Sequence, residues 1–131
     1  MNPKDSNIYV INICYLCTMN LTFADKKLQK IVNNDKLMLK EFGKVRAEKL
    51  RNRLIQLQDA GTLEDVRYLP GNYHELTGDR KGQWACDLDQ PYRLIFEPHE
   101  YPIPTNEHGQ YIWLKIVGVE IIEIVNYHKE K

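Results

Sequence analysis

Between His74 and Phe96 the sequence reads HELTGDRKGQWACDLDQPYRLIF, which gathers a histidine, the adjacent bases Arg80 and Lys81, a tryptophan and Arg93. Histidine titrates near neutral pH and can accept or give a proton, whereas arginine keeps its charge and presents a planar fork to phosphate oxygens. Together they can transfer protons at an anionic centre. Each residue also has a plain structural use. Arg80 and Lys81 lie in a Gly-Asp-Arg-Lys-Gly turn, where solvated charge is ordinary, and Gly78 and Gly82 serve the turn through their access to positive φ. Trp84 alternates in step with Cys86 and Leu88, which places it in the core. His99 and His108 fall in a proline-rich loop as exposed polar residues. His128 on composition alone is a tail residue.

The elements that must position these side chains follow from periodicity. Leu21 to Phe23 reads as a short strand, and Asp25 as the N-cap of a helix whose stripe is Leu28, Ile31 and Val32. Asn33-Asn34-Asp35 then breaks the chain and caps a long amphipathic helix. Its stripe is Phe42, Ala47, Leu50, Leu54 and Leu57, and Gly61 is the expected stop. Gly43 argues against an unbroken rod. Thr62 to Asp65 can form one further turn, and Pro70-Gly71 ends the helical half. Beyond it, Tyr73–Thr77, Gln83–Leu88, Tyr92–Glu97, Tyr111–Val117 and Val119–Val125 read as strands, rich in aromatic and β-branched residues. The alternation of Gln83, Ala85 and Asp87 against Trp84, Cys86 and Leu88 predicts a half-covered antiparallel sheet, with helices on one face and water or a ligand on the other.

The 131 residues, 43% of them hydrophobic, suffice for one domain with one modest core. Eighteen bases balance eighteen acids, so net charge names no partner; yet residues 26–53 carry ten Lys or Arg against Asp35, Glu41 and Glu48. Within that excess, Lys44, Arg46, Lys49, Arg51 and Arg53 share the polar side of the long helix, either as a solvated face or as a surface for RNA or an acidic protein. No apolar run reaches the length of a membrane span. Residues 7–17, NIYVINICYLC, are apolar, but only Lys4 precedes them and no small-residue cleavage site follows. Met19 opens a strand and a capped helix at once, so residues 1–18 read as an extension and 19–131 as the domain. Cys14 and Cys17 have redox-motif spacing without a strand-then-helix setting, and with Cys86 they read as reduced thiols. The four histidines lack close ligand partners, so no metal or other cofactor is expected.

The motif His-x-Leu-x-Gly-Asp-Arg-x-Gly-x-Trp, followed by Tyr-Arg-Leu-Ile-Phe and the closing Ile-Val-Asn-Tyr-His, resembles the HigB-type killer proteins of the RelE/ParE superfamily, toxins of bacterial toxin-antitoxin pairs. The resemblance spans residues 19–128. It implies an α+β fold in which two N-terminal helices pack on a small, mostly antiparallel twisted sheet. It also implies a metal-independent endoribonuclease that cuts messenger RNA on the ribosome. In that chemistry the 2′-hydroxyl attacks the adjacent phosphate, so a proton must be removed, the phosphorane neutralised and the 5′-oxygen protonated. By resemblance, His74 and His128 transfer protons or position the phosphate, Arg93 stabilises its charge, and Tyr127 stacks against or orients a base. Arg80, Lys81 and the basic helix would meet RNA phosphates. Many relatives carry a lysine where Thr77 stands, so either Arg80 or Lys81 replaces that charge or the activity is weaker or lost.

The implied partners are an antitoxin with a helix-turn-helix DNA-binding domain, the ribosome and its messenger, in the cytoplasm, with DNA met only through the antitoxin. Two other readings remain open. The gyrase-poisoning ParE-like branch shares the fold but lacks the histidines. A catalytically inactive module would only bind its antitoxin and regulate transcription.

Overall fold

The computed structural model describes residues 19–127. Expectations for the 1–18 extension, for Cys14 and Cys17 and for His128 lie outside the described residues.

The chain is α+β. The first strand, β1 (Asn20–Phe23), leads into α1 (Lys26–Val32). Asp25 caps this helix as expected, its carboxylate accepting from the amides of Lys27 at 2.8 Å and Leu28 at 3.4 Å. Asn34 does the same for α2 (Asp35–Asp59), accepting from Lys36 at 3.0 Å and Leu37 at 3.1 Å. Gly43 breaks α2 at φ 80°, ψ 167°, a left-handed geometry that L-residues resist, so the rod is two helices joined at one residue. The helix stops at Asp59 with Ala60 as its extended C-cap, and Gly61, the expected stop, follows directly. A single turn, α3 (Leu63–Val66), follows.

Four further strands complete the sheet: β2 (His74–Glu75), β3 (Trp84–Asp87), β4 (Tyr92–Pro98) and β5 (Gly118–Asn126). Their order is β1-β5-β4-β3-β2, antiparallel at every pairing except β1 with β5. The expected strand over Tyr111–Val117 does not form. Tyr111 makes one isolated bridge to Thr105, and Trp113–Lys115 wind into a 3₁₀ turn. The reason is spacing: Trp113 and Ile116 are both buried while Leu114 and Lys115 between them are exposed, a period of three that a strand cannot present. Trp113 meets Trp84 edge-on, with ring centroids 5.5 Å apart.

All the helices cover one face of the sheet. Leu28, Ile31, Val32, Leu50, Leu54 and Leu57 pack there against Trp84, Cys86, Leu94, Phe96 and Ile121, every one of them buried. The helical stripes and the alternation in β3 therefore fall as the sequence predicts, and Trp84 is a core residue at 0% exposure. The opposite face carries a much smaller apolar patch of Ala85, Ile95 and Val125, flanked by Leu76 and Ile122. A bulge between Ile95 and Phe96 lets Ile122 join it. This second face is left open by the helices, and it holds the candidate site.

Candidate functional site

Register decides which side chains share the open face, because residues directly opposite in an antiparallel pair point the same way. One row runs His74, Ala85, Ile95, Glu123; the next runs Asp87, Arg93, Val125. Tyr127, two residues past Val125, continues that side. His74 and Arg93 thus share a face, with Cα atoms roughly 12 Å apart by the spacing of strands and of residues along them. They do not touch; Asp87 lies between.

The guanidinium of Arg93 stacks on Tyr127, its Cζ 3.7 Å from the ring centroid. On its other side, Arg93 Nε stands 3.6 Å from Asp87 Oδ1, close enough for charge attraction but beyond hydrogen-bond length. Both partners of this pair are 22% exposed at their side chains. Asp87 Oδ1 is itself buried and accepts no hydrogen bond, while Asp87 Oδ2 accepts from the Asn72 amide at 3.3 Å. Arg93 is therefore oriented by an aromatic face and a carboxylate.

His74 is fixed from behind. Its Nδ1 lies 2.7 Å from the main-chain carbonyl of Asn72, and a carbonyl oxygen only accepts, so Nδ1 carries the hydrogen. Asn72 occupies the left-handed region at φ 57°, the sole non-glycine residue with positive φ among the described residues. The turn is shaped from below by Arg53, which donates to the Asp87 carbonyl at 2.7 Å and lies against Gly71, where a Cβ would fall 2.8 Å from the Arg53 Cζ.

The expected basic residues divide. Arg46 pairs with Asp89 at 2.9 Å and stacks on Tyr92, 3.6 Å from its centroid, on the helix side of the sheet. Arg51 pairs with Asp35 at 2.9 Å, and Arg53 buttresses the turn just described. Lys44 and Lys49 stay exposed, and α2 as a whole lies across the sheet from His74 and Arg93. Arg80 donates to Glu123 at 2.7 Å and to Gln83 at 2.8 Å, so a carboxylate already meets one of the two charges expected to replace a lysine at Thr77. Lys81 is exposed, its Nζ 5.7 Å from the Tyr111 centroid. Gly78 and Gly82 take positive φ in the turn, as expected. His108 is exposed, but His99 is more than a solvated loop residue: its Nε2 lies 2.7 Å from Thr22 Oγ1, tying the loop after β4 to β1.

Sequence reasoning missed Asn72 and Asp87. Asp87 was on the correct face by alternation, and Pro70-Gly71-Asn72 carries a turn signal, but their contact spans fifteen positions and follows only from the pairing of β2 with β3. The titrations with a clear physical cause lie on the other side of the sheet. Burial drives the phenol of Tyr73 up, and the Cys86 thiol is pushed by burial up to about 12. Among the described residues no three His, Cys, Asp or Glu converge on a metal position. No family model, curated protein or solved structure matches the chain.

Proposed function

We propose that the protein is the toxin of a type II toxin-antitoxin pair, a HigB-type member of the RelE/ParE superfamily that cleaves messenger RNA on the ribosome without a metal. The observation that carries this reading is the stacked Arg93–Tyr127 pair, held on the open sheet face that also bears His74. An arginine paired only loosely with its carboxylate can neutralise a phosphorane, and an imidazole with Nδ1 already engaged offers Nε2 for proton transfer. The Tyr127 face turned toward Arg93 is occupied, so in this reading the ring acts first by orienting the arginine. His128, next in sequence, would supply the second imidazole. In this reading the cell holds the toxin silent with a helix-turn-helix antitoxin, through which alone it meets DNA, in the cytoplasm.

The test is direct mapping of messenger ends on translating ribosomes after brief induction. Cleavage inside the decoded codon is expected for the wild type, and its loss for Arg93→Ala and His128→Ala with both variants folded. Undiminished cleavage by both variants would sink the assigned chemistry, and growth arrest without any cut messenger would sink the activity.

A second reading, the inactive antitoxin-binding module, draws on the acids. Asp87 stands against Arg93, Glu123 holds Arg80, and Thr77 brings no charge. Salt-sensitive binding to ribosomes counts against it, since phosphate contacts weaken as counterions compete.

A further inference from the structure

We propose that Asn72 and Asp87 are positioning residues that join His74 to Arg93: Asn72 sets Nε2 as the proton-exchanging atom of His74, and Asp87 holds the Arg93 guanidinium in register until a substrate phosphate takes its place. This rests on the nuclease reading for the identity of the anion, and on geometry alone for the coupling.

The geometry is a continuous chain across three strands. Asn72 extends the row that contains Asp87, Arg93 and Val125, because His74 opposes Ala85 and Asn72 precedes His74 by two residues just as Asp87 follows Ala85 by two. Its left-handed backbone turns the carbonyl toward His74 Nδ1 at 2.7 Å while the side-chain amide reaches Asp87 Oδ2 at 3.3 Å. One residue thus sets both the tautomer of the imidazole and the placement of the carboxylate. Asparagine suits this position because it tolerates positive φ and carries a donor.

Asp87 has the features of a place-holder. Its Oδ1 is buried and accepts no hydrogen bond, and the 3.6 Å approach of Arg93 Nε is attraction without a bond. Arg93 would gain charge-assisted hydrogen bonds on exchanging this loose partner for a phosphate. Because the ion pair is partly exposed, releasing it costs little. Meanwhile Tyr127 keeps the guanidinium plane fixed, so only the partner changes and not the arginine's orientation. A fully hydrogen-bonded carboxylate would hold Arg93 too tightly to exchange, and no carboxylate would leave it unguided.

The first measurement needs neither ribosomes nor a variant. Long-range proton–nitrogen correlation on histidine-labelled full-length protein should show the neutral ring of His74 with its hydrogen on Nδ1; a hydrogen on Nε2 overturns the proposal. The second follows the Arg93 Nε–H signal during titration with inorganic phosphate. Asp87→Asn, which keeps shape and removes charge, should bind phosphate about two- to fivefold more tightly than the wild type, the worth of a partly exposed ion pair. Equal affinity overturns the place-holder role. The third uses translating ribosomes: Asn72→Gly keeps the left-handed turn and deletes the amide, so kcat should fall about tenfold with KM unchanged. A change in KM alone would count against positioning. If the wild type cuts no messenger, the nuclease reading fails by itself, and the first two measurements still decide the inference.

Discussion

The two faces of the sheet are made from the same strands and do different work. On the helix side, β3 and β4 contribute Trp84, Cys86, Leu94 and Phe96, all at 0% exposure, to one continuous core. On the open side, alternate residues of those strands contribute Ala85 and Ile95 to a patch bordered by Asp87, Arg93, Glu97 and Glu123. Burial of apolar area stabilises the first face, whereas the second keeps charges paired at modest exposure. Stability and chemistry are thus separable by substitution, one residue apart along a single strand.

The largest separation is expected from Phe96→Ala. It removes a ring packed on Trp84 and Tyr73 and should cost about 3 to 5 kcal/mol in urea unfolding, enough to threaten the fold. Arg93→Ala, three residues away, should leave the urea midpoint nearly unchanged. In the proposed reaction it should lower messenger cleavage by about 10² to 10³, the usual effect of deleting a donor to a developing charge. If instead Arg93→Ala unfolds the protein, the open face is structural and the contrast collapses.

Gly43→Ala should cost about 1 to 3 kcal/mol, measured as a fall in denaturant midpoint. Nothing lies within 4 Å of the added methyl, so the whole effect comes from φ 80° and none from packing. It should therefore leave phosphate binding at the open face untouched.

The pH dependence sharpens the same contrast. Cys86 is raised from 9.0 to about 12 in the folded protein, so between those values the unfolded chain loses a proton that the folded one keeps. The unfolded state then binds fewer protons, and stability falls with rising pH by roughly 1 kcal/mol per unit. Tyr73, also raised from 10.0, acts in the same direction from a higher starting pH. Cys86→Ala should accordingly move the onset of alkaline destabilisation up by about one pH unit, from near the ordinary thiol value toward the ordinary phenol value. A profile unchanged by that substitution would mean the thiol is not held protonated by the core.

Much of the fold was legible because its signals are local. The carboxylate of Asp25 and the amide oxygen of Asn34 cap helices two and three residues ahead, so sequence spacing alone contains the interaction. The stripe from Ala47 to Leu57 and the alternation through Trp84 and Cys86 likewise repeat at the period of their own element. Tyr111–Val117 shows where this ends: β-prone residues became a 3₁₀ turn because Trp113 and Ile116 had a core to enter at a spacing of three.

The basic helix shows the same limit for the site. Lys44 through Arg53 share a polar face by sequence, yet three of those charges meet partners that only folding supplies: Asp89, Asp35 across the Gly43 break, and the Asp87 carbonyl. A sequence lists charges but not which are already answered.

The sequence by itself determined the α+β class, the capped helices, the core stripe and the open-face alternation that carries Asp87. Tertiary structure alone decided that β1 lies parallel to β5, that Arg93 stacks on Tyr127 from thirty-four residues away, and that Asn72 and Asp87 stand between the two expected site residues. The physical reason is that periodicity is fixed by the dihedral angles of neighbouring residues, whereas partners across strands are chosen by register, which the whole buried face sets at once.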